Sequence, residues 1–186
     1  GMAPQGVNAV NYAARLVCWL ENEARQRQLH GPFDKQYDIP FTTIHTGIIH
    51  GGTALNIVPN HCEFVFEIRN IADENAIDIF DEFNEYTAEL LEEMRIKFAD
   101  CRIDTDIVTE YPGLNCSDAD QLIDYIRTLT GKSTPGNINF GTEAGLFNQT
   151  LGVTSIVCGP GSMSQGHKPD EFIEVSQIEA CDQFIQ

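Results

Sequence analysis

The stretch TALNIVPNHCEFVFEIRN, residues 53–70, decides the fold. Its second half alternates strictly. Cys62, Phe64, Phe66 and Ile68 fall on one side, and Glu63, Val65, Glu67 and Arg69 on the other. A period of two with apolar residues on one side predicts a strand that lays one face on a core. Asn56 is a polar break between Leu55 and Ile57, ahead of Pro59. Its amide is marked for a backbone tie or a ligand contact.

Upstream, PFTTIHTGIIHGG over 40–52 is dominated by Thr and Ile and predicts a partner strand, with Gly51-Gly52 as the turn between the two. His45 and His50 are an odd number of residues apart, so a regular strand places them on opposite sides. His61 falls near the start of the second strand.

Helices flank this pair. In PQGVNAVNYAARLVCWLENEARQRQ, residues 4–28, an apolar stripe runs through Val7, Val10, Ala14, Val17, Leu20 and Ala24. Pro4 suits a first turn, and Gly31-Pro32 stops the helix, predicted over 7–29. A second helix is expected over 73–99, with Ile77, Phe80, Tyr86, Leu90, Met94 and Phe98 on one broad face and acids on the other. CRIDTDIVTEYPG, 101–113, alternates again and predicts a strand. The order is helix, strand, strand, helix, strand. One leading strand would complete βαββαβ, in which two helices cover one face of an antiparallel sheet.

After Pro112 the character changes. SDADQLIDYIRTLTG, 117–131, predicts a helix capped by Ser117 or Asp118 and stopped by Gly131. GTEAGLFNQTLG, 141–152, reads as a Gly-led helix. VTSIVCGPG, 153–161, reads as a buried strand ending in a glycine loop, and SQIEACDQFI, 176–185, as a final helix. This alternation is the habit of an α/β layer, in too short a stretch for a complete α/β domain. The expected organisation is α+β, with one domain over 3–112 and a second segment over 113–186.

Lys plus Arg number 11 and Asp plus Glu 28, a formal charge of −17, which repels phosphate backbones and argues against nucleic acid as a partner. A hydrophobic content of 42% supports a folded core rather than a disordered chain. No apolar run reaches membrane-spanning length and no secretory leader is evident. The six cysteines, at 18, 62, 101, 116, 158 and 181, form no CxxC pair and read as free thiols of a cytoplasmic protein. Gly1-Met2 reads as a tag remnant ahead of a starting methionine.

GPGSMSQGHKPDEF, 159–172, places His167 in a turn-rich loop with Asp170 and Glu171 close behind. A histidine in a loop is ordinarily a solvated side chain. Here it follows glycine-rich backbone at the expected C-terminal end of a strand, where α/β folds place their sites. Asp170 or Glu171 would orient its ring toward a metal. The chain has no HxH or HExxH pattern, so its other ligands are not apparent. Arg69 closes an alternating strand, as a surface charge or as a two-pronged clamp on a carboxylate. Thr142 and Glu143, after Gly141, open a helix whose first turn offers backbone N–H groups to an anion.

Two composite motifs, GIIHGGTALNIVPNHCEFVFEIRNI and NFGTEAGLFNQTLGVTSIVCGPGSMSQGHKPDEFI, resemble the acetylornithine deacetylase group of the co-catalytic zinc metallopeptidases. That family also holds succinyl-diaminopimelate desuccinylase, aminoacylase and glutamate carboxypeptidase. The opening APQGVNAVNYAARLV is similar to the helix after the first strand of its dimerisation domain, so the resemblance covers almost the whole chain. It implies a βαββαβ-type dimerisation (lid) domain lacking its first strand, 3–112, followed by a partial α/β catalytic-domain segment, 113–186. It implies metal-assisted hydrolysis of N-acyl amino acids of the arginine-biosynthesis type, in which zinc or cobalt polarises the amide and generates hydroxide. It implies a cytoplasmic homodimer. His167 matches the last zinc ligand. Asn56 and Arg69 match positions that meet substrate, and Gly141, Thr142 and Glu143 match the loop beside the substrate's acyl or carboxylate end.

The chain departs from the family by lacking the first histidine ligand, the bridging aspartate, the paired glutamates and a further carboxylate. The expectation is a truncated, inactive form with zinc absent or weakly bound and with exposed apolar surface that drives self-association. The alternatives are a non-catalytic dimeric ligand-binding module, or a relative acting on another N-acyl amino acid or dipeptide.

Overall fold

A computed structural model describes residues 1–114, 120–131, 136–138, 140–166 and 168–186. The chain forms two compact units, Gly1–Gly113 with Gly136–Gly141, and Leu114–Pro135 with Thr142–Gln186. The fold is α+β.

In the first unit, α1 spans Ala9–His30, β1 Thr43–Gly51, β2 Cys62–Arg69 and α2 Ala76–Lys97. Each helix starts where a side chain satisfies a free N–H. Asn8 accepts from the Asn11 amide at 3.0 Å, and Asn75 from the Ile77 amide at 3.0 Å. Pro4 belongs to a separate 3-10 turn, Ala3–Gln5, and not to the first turn of α1. Gly31, with φ of 78°, ends α1 as expected, and its amide donates to the Arg27 carbonyl at 2.9 Å.

β1 and β2 pair antiparallel. Phe64 and Phe66 point from β2 toward Phe83 of α2, with ring centroids 6.4 and 5.1 Å away, and Trp19 of α1 meets the same ring at 5.7 Å. Both helices therefore cover one face of the sheet, as the strand alternation predicts. The core is Tyr12, Leu16 and Leu20 from α1 with Phe83, Leu90 and Met94 from α2. Leu20, Leu90 and Met94 of the predicted stripes are in this core and Val7, Phe80 and Tyr86 pack against it, whereas Ala14 and Phe98 are exposed and the buried Leu16 and Phe83 lie outside the predicted stripes. On α1 the side carrying Tyr12, Leu16 and Leu20 offers more apolar surface to the Phe64 and Phe66 rings than the side carrying Ala14. Gly51 closes β1 against α1. A Cβ there would stand 2.8 Å from Val10 Cγ2 and 2.7 Å from Cys62 Sγ, so any larger residue would force these side chains to shift.

Polar ties join the elements of this unit. Buried Thr42 accepts from the Ile71 amide at 3.2 Å. Arg15 grips Glu93 with two bonds of 2.8 Å, and the Tyr12 hydroxyl donates to the same carboxylate at 2.9 Å, joining α1 to α2. The Arg15 hydrogen bond, reinforced by Tyr12, holds the Glu93 carboxyl down to about 2. Burial and the Glu93 bond push the Tyr12 phenol up.

Residues 101–113 form no strand. Cys101 and Ile103 still pack against the core, but Asp104–Glu110 are exposed. A strand needs a neighbour to take its main-chain hydrogen bonds, and among the described residues the sheet is β1 and β2 alone, with neither open edge taken up by this segment.

The second unit carries α3 at Asp120–Thr130, α4 at Ala144–Leu151 and α5 at Val175–Ile185. Gly131 (φ 66°) and Gly152 (φ 62°) terminate α3 and α4 in the left-handed region. The expected caps Ser117 and Asp118 lie outside the described residues. The buried strand expected over 153–161 does not form, and Val153, Val157 and Cys158 are exposed. No other strand is present among the described residues of this unit to pair with it.

Candidate functional site

The polar face of the hairpin is built by one irregularity. The register runs Thr46 to Phe66 and then Ile48 to Val65, so Gly47 is an extra residue in β1. Such a bulge reverses the alternation beyond it. His45 pairs with Glu67 and His50 with Glu63, and these two glutamates share one side of β2. His45 and His50 therefore lie on the same face, not on opposite faces as a regular strand would place them. That face reads Thr43–Arg69, His45–Glu67, Ile48–Val65 and His50–Glu63 across the ladder.

Arg69 is engaged on this face. Its Nε donates to Glu67 Oε1 at 3.0 Å and its Nη2 to Glu67 Oε2 at 3.1 Å, a two-pronged pair two residues apart on one strand. The two side chains are 35% and 49% exposed. At the other end of the ladder His61 Nε2 stands 3.8 Å from Glu63 Oε2. Burial and, secondarily, Glu63 push the Cys62 thiol up, so this sulfur is a poor nucleophile.

Asn56 is exposed in the turn beyond β1, next to Leu55, which is 107% exposed. With β2 running Cys62–Arg69 between them, Asn56 and Arg69 stand at opposite ends of the hairpin. At about 3.3 Å per residue, a separation on the order of 20 Å keeps both from one small ligand in a single copy. Gly141 belongs to the first unit, where a Cβ would meet Tyr111 Cδ2 at 3.3 Å.

In the second unit Thr142 accepts from the Ala144 amide at 3.3 Å and Glu143 is the N-cap residue of α4 without a side-chain cap bond. Thr142 thus spends its oxygen on the helix start. Asp170 adopts a φ of 59°, unusual for a non-glycine residue, and Glu171 follows it, exposed. His167 lies outside the described residues. Among the described residues no group of three His, Cys, Asp or Glu is placed to hold a metal ion, and the five described cysteines are free. No helix among them is long and apolar enough to cross a membrane.

The sequence reading missed a groove of about 450 Å³ between α1 and the outer edge of β1. Leu20, Ala24, Phe41 and Ile44 line it with Glu21, Arg25 and His45. Its only sequence signal is Phe41 ahead of the strand, which reads equally well as core.

Residues 1–95 match the family model described as peptidase dimerisation domain. The acetylornithine deacetylase of Photorhabdus laumondii subsp. laumondii is 32% identical over 174 residues, covering 94% of this chain and 43% of that protein. That of Pasteurella multocida is 30% identical over 179 residues, 94% of this chain and 44% of that protein. That of Myxococcus xanthus is 28% identical over 177 residues, 95% and 45%. The chain thus spans less than half the length of these curated relatives.

Proposed function

The chain belongs to the peptidase dimerisation domain family, and from that premise we propose that it is part of an acetylornithine deacetylase-like, metal-dependent amidohydrolase. The observation that carries this is coverage: the likeness to acetylornithine deacetylases runs over 94% of the chain and so reaches well past the matched dimerisation domain. The substrate is a small N-acyl amino acid, N-acetylornithine in the arginine-biosynthesis reading, in the cytoplasm.

In this reading residues 3–112 are the dimerisation (lid) domain, a βαββαβ arrangement without its first strand, and 113–186 are a catalytic-domain segment. The alternation of residues 101–113, with Cys101 and Ile103 packed against the core, supports it, because in that topology this segment is the closing strand. Arg69 meets the substrate carboxylate and Asn56 meets substrate bound to a second copy, which accords with their placement at opposite ends of the hairpin. Gly141, Thr142 and Glu143 border the acyl or carboxylate end. His167 is one zinc or cobalt donor, oriented by Asp170 or Glu171. The described residues do not supply the remaining donors, so no catalytic step is assigned to them. The chain alone is inactive. It self-associates as a homodimer through its first unit, which is consistent with the family's name and with two open sheet edges.

The test is direct. The purified chain with zinc or cobalt is expected to show no hydrolysis of N-acetyl-L-ornithine above a His167→Ala control. It is expected to bind that compound in calorimetry, more weakly after Arg69→Gln. Turnover removed by His167→Ala overturns the inactive reading, and equal binding by Arg69→Gln overturns the role of Arg69.

A further inference from the structure

We propose that Glu67 is a positioning residue for Arg69: an internal carboxylate that occupies the guanidinium fork and that a ligand carboxylate must displace. The inference rests on the reading of Arg69 as a carboxylate clamp and adds to it the state of that clamp without ligand.

The geometry is that of a carboxylate complex. Nε and Nη2 form the side-on fork of the guanidinium, and both bond the two oxygens of one carboxylate, at 3.0 and 3.1 Å. A ligand carboxylate seeking the same two donors finds them filled. The Glu67 charge also offsets that of the guanidinium, so a ligand carboxylate is drawn to Arg69 less strongly than it would be with Glu67 neutral.

The placement of Glu67 follows from the strand. Residues two apart on β2 share a face, so Glu67 and Arg69 project from the same side of the strand, and Arg69 is the only Lys or Arg of β2. Glu63, the other acid of this face, is paired across the ladder with His50 and stands beside His61 instead.

The latch is weak enough to open. Both partners are one-third to one-half exposed, and such ion pairs are weak because water screens them. Once displaced, the Glu67 carboxylate has His45 directly opposite on β1 as a polar neighbour. This second seat belongs to the regular part of the ladder, which runs unbroken from Thr43–Arg69 to Thr46–Phe66 ahead of the Gly47 bulge. Specificity follows from the same device. A neutral amide does not compete with Glu67 for the fork, whereas a carboxylate does.

The experiment titrates the full chain with N-acetylglycine and, in parallel, with N-acetylglycinamide, which lacks the carboxylate. Calorimetry is the readout, with Glu67→Gln, Glu63→Gln and Arg69→Gln beside the parent. Circular dichroism confirms that each variant is folded. Glu67→Gln is expected to bind N-acetylglycine about two- to five-fold more tightly than the parent, the range of a weak surface pair. Glu63→Gln, which removes the same charge from the same face, is expected to match the parent, and the amide is expected to be insensitive to all three changes.

Glu67→Gln binding no more tightly than the parent, or no more tightly than Glu63→Gln, overturns the latch while leaving the clamp standing if Arg69→Gln still loses affinity. Arg69→Gln binding as well as the parent overturns the clamp itself, and the latch with it. Undetectable binding by Glu67→Gln also overturns the latch.

Discussion

Phe83 and Phe147 are the same side chain on helices of the two units, with opposite surroundings. Phe83, on α2, is 1% exposed and touches the rings of Phe64, Phe66, Phe80 and Trp19. Phe147, on α4, is 53% exposed. The difference holds across the units. The first buries Tyr12, Leu16, Leu20, Ile71, Ile79, Phe83, Leu90 and Met94, while no described hydrophobic side chain of the second is buried. Helix-forming pattern is present in both, so pattern is not what separates them. The first unit sets two helices of 22 residues on a sheet face, whereas the second has helices of 8 to 11 residues and no described strand. An amphipathic stripe contributes stability only when a second surface removes it from water.

The largest expected effect that sharpens this contrast is Phe83→Ala. Removing a ring at the centre of the core is expected to cost about 3–5 kcal/mol. Urea denaturation followed by Trp19 fluorescence reads it, because the single tryptophan stacks 6.1 Å from Tyr86 within this unit. A cost under about 0.5 kcal/mol, the range of an ordinary surface change, would mean that the first unit has no tightly packed centre.

A smaller effect concerns the clamp between α1 and α2. Glu93 is held at about 2 when folded, below the ordinary carboxylate value of 4.5. A depressed folded value contributes stability that is fully present above the unfolded value. That contribution fades as pH falls through 4.5 toward about 2. The parent is expected to lose thermal stability over that window more steeply than Glu93→Gln. Parallel curves would show that the Arg15–Glu93 pair contributes nothing in solution. Among the described residues of the second unit, the Arg127–Asp124 pair lies within one helix and ties no two elements together.

The smallest expected effect is Phe147→Ala, within about 0.5 kcal/mol by denaturation followed by circular dichroism. A loss comparable with that of Phe83→Ala would break the comparison, because it would place Phe147 in a packed environment in solution.

What the sequence by itself determined is local. The alternation from Cys62 to Arg69 marks β2 and its apolar side, and Gly31 and Gly131 stop α1 and α3 as expected, while the Asn8 and Asn75 caps and the Gly152 stop, not anticipated from the sequence, are signals of the same local kind. Each of these signals is complete within a few residues, because caps, turns and period-two faces depend on neighbours in the chain. The candidate residues Arg69, Asn56 and the Gly141–Glu143 turn were also legible, as residue types at marked positions. What only the tertiary structure decided is pairing. The alternation at 101–113 equals that of a strand, and the apolar run at 153–161 equals that of a buried one, yet neither forms, because a ladder needs a partner the local sequence does not encode. The bulge at Gly47 is decided the same way. It exists only in the register against β2, and through it the tertiary structure gathers His45 and His50 beside Glu67 and Glu63 on one face.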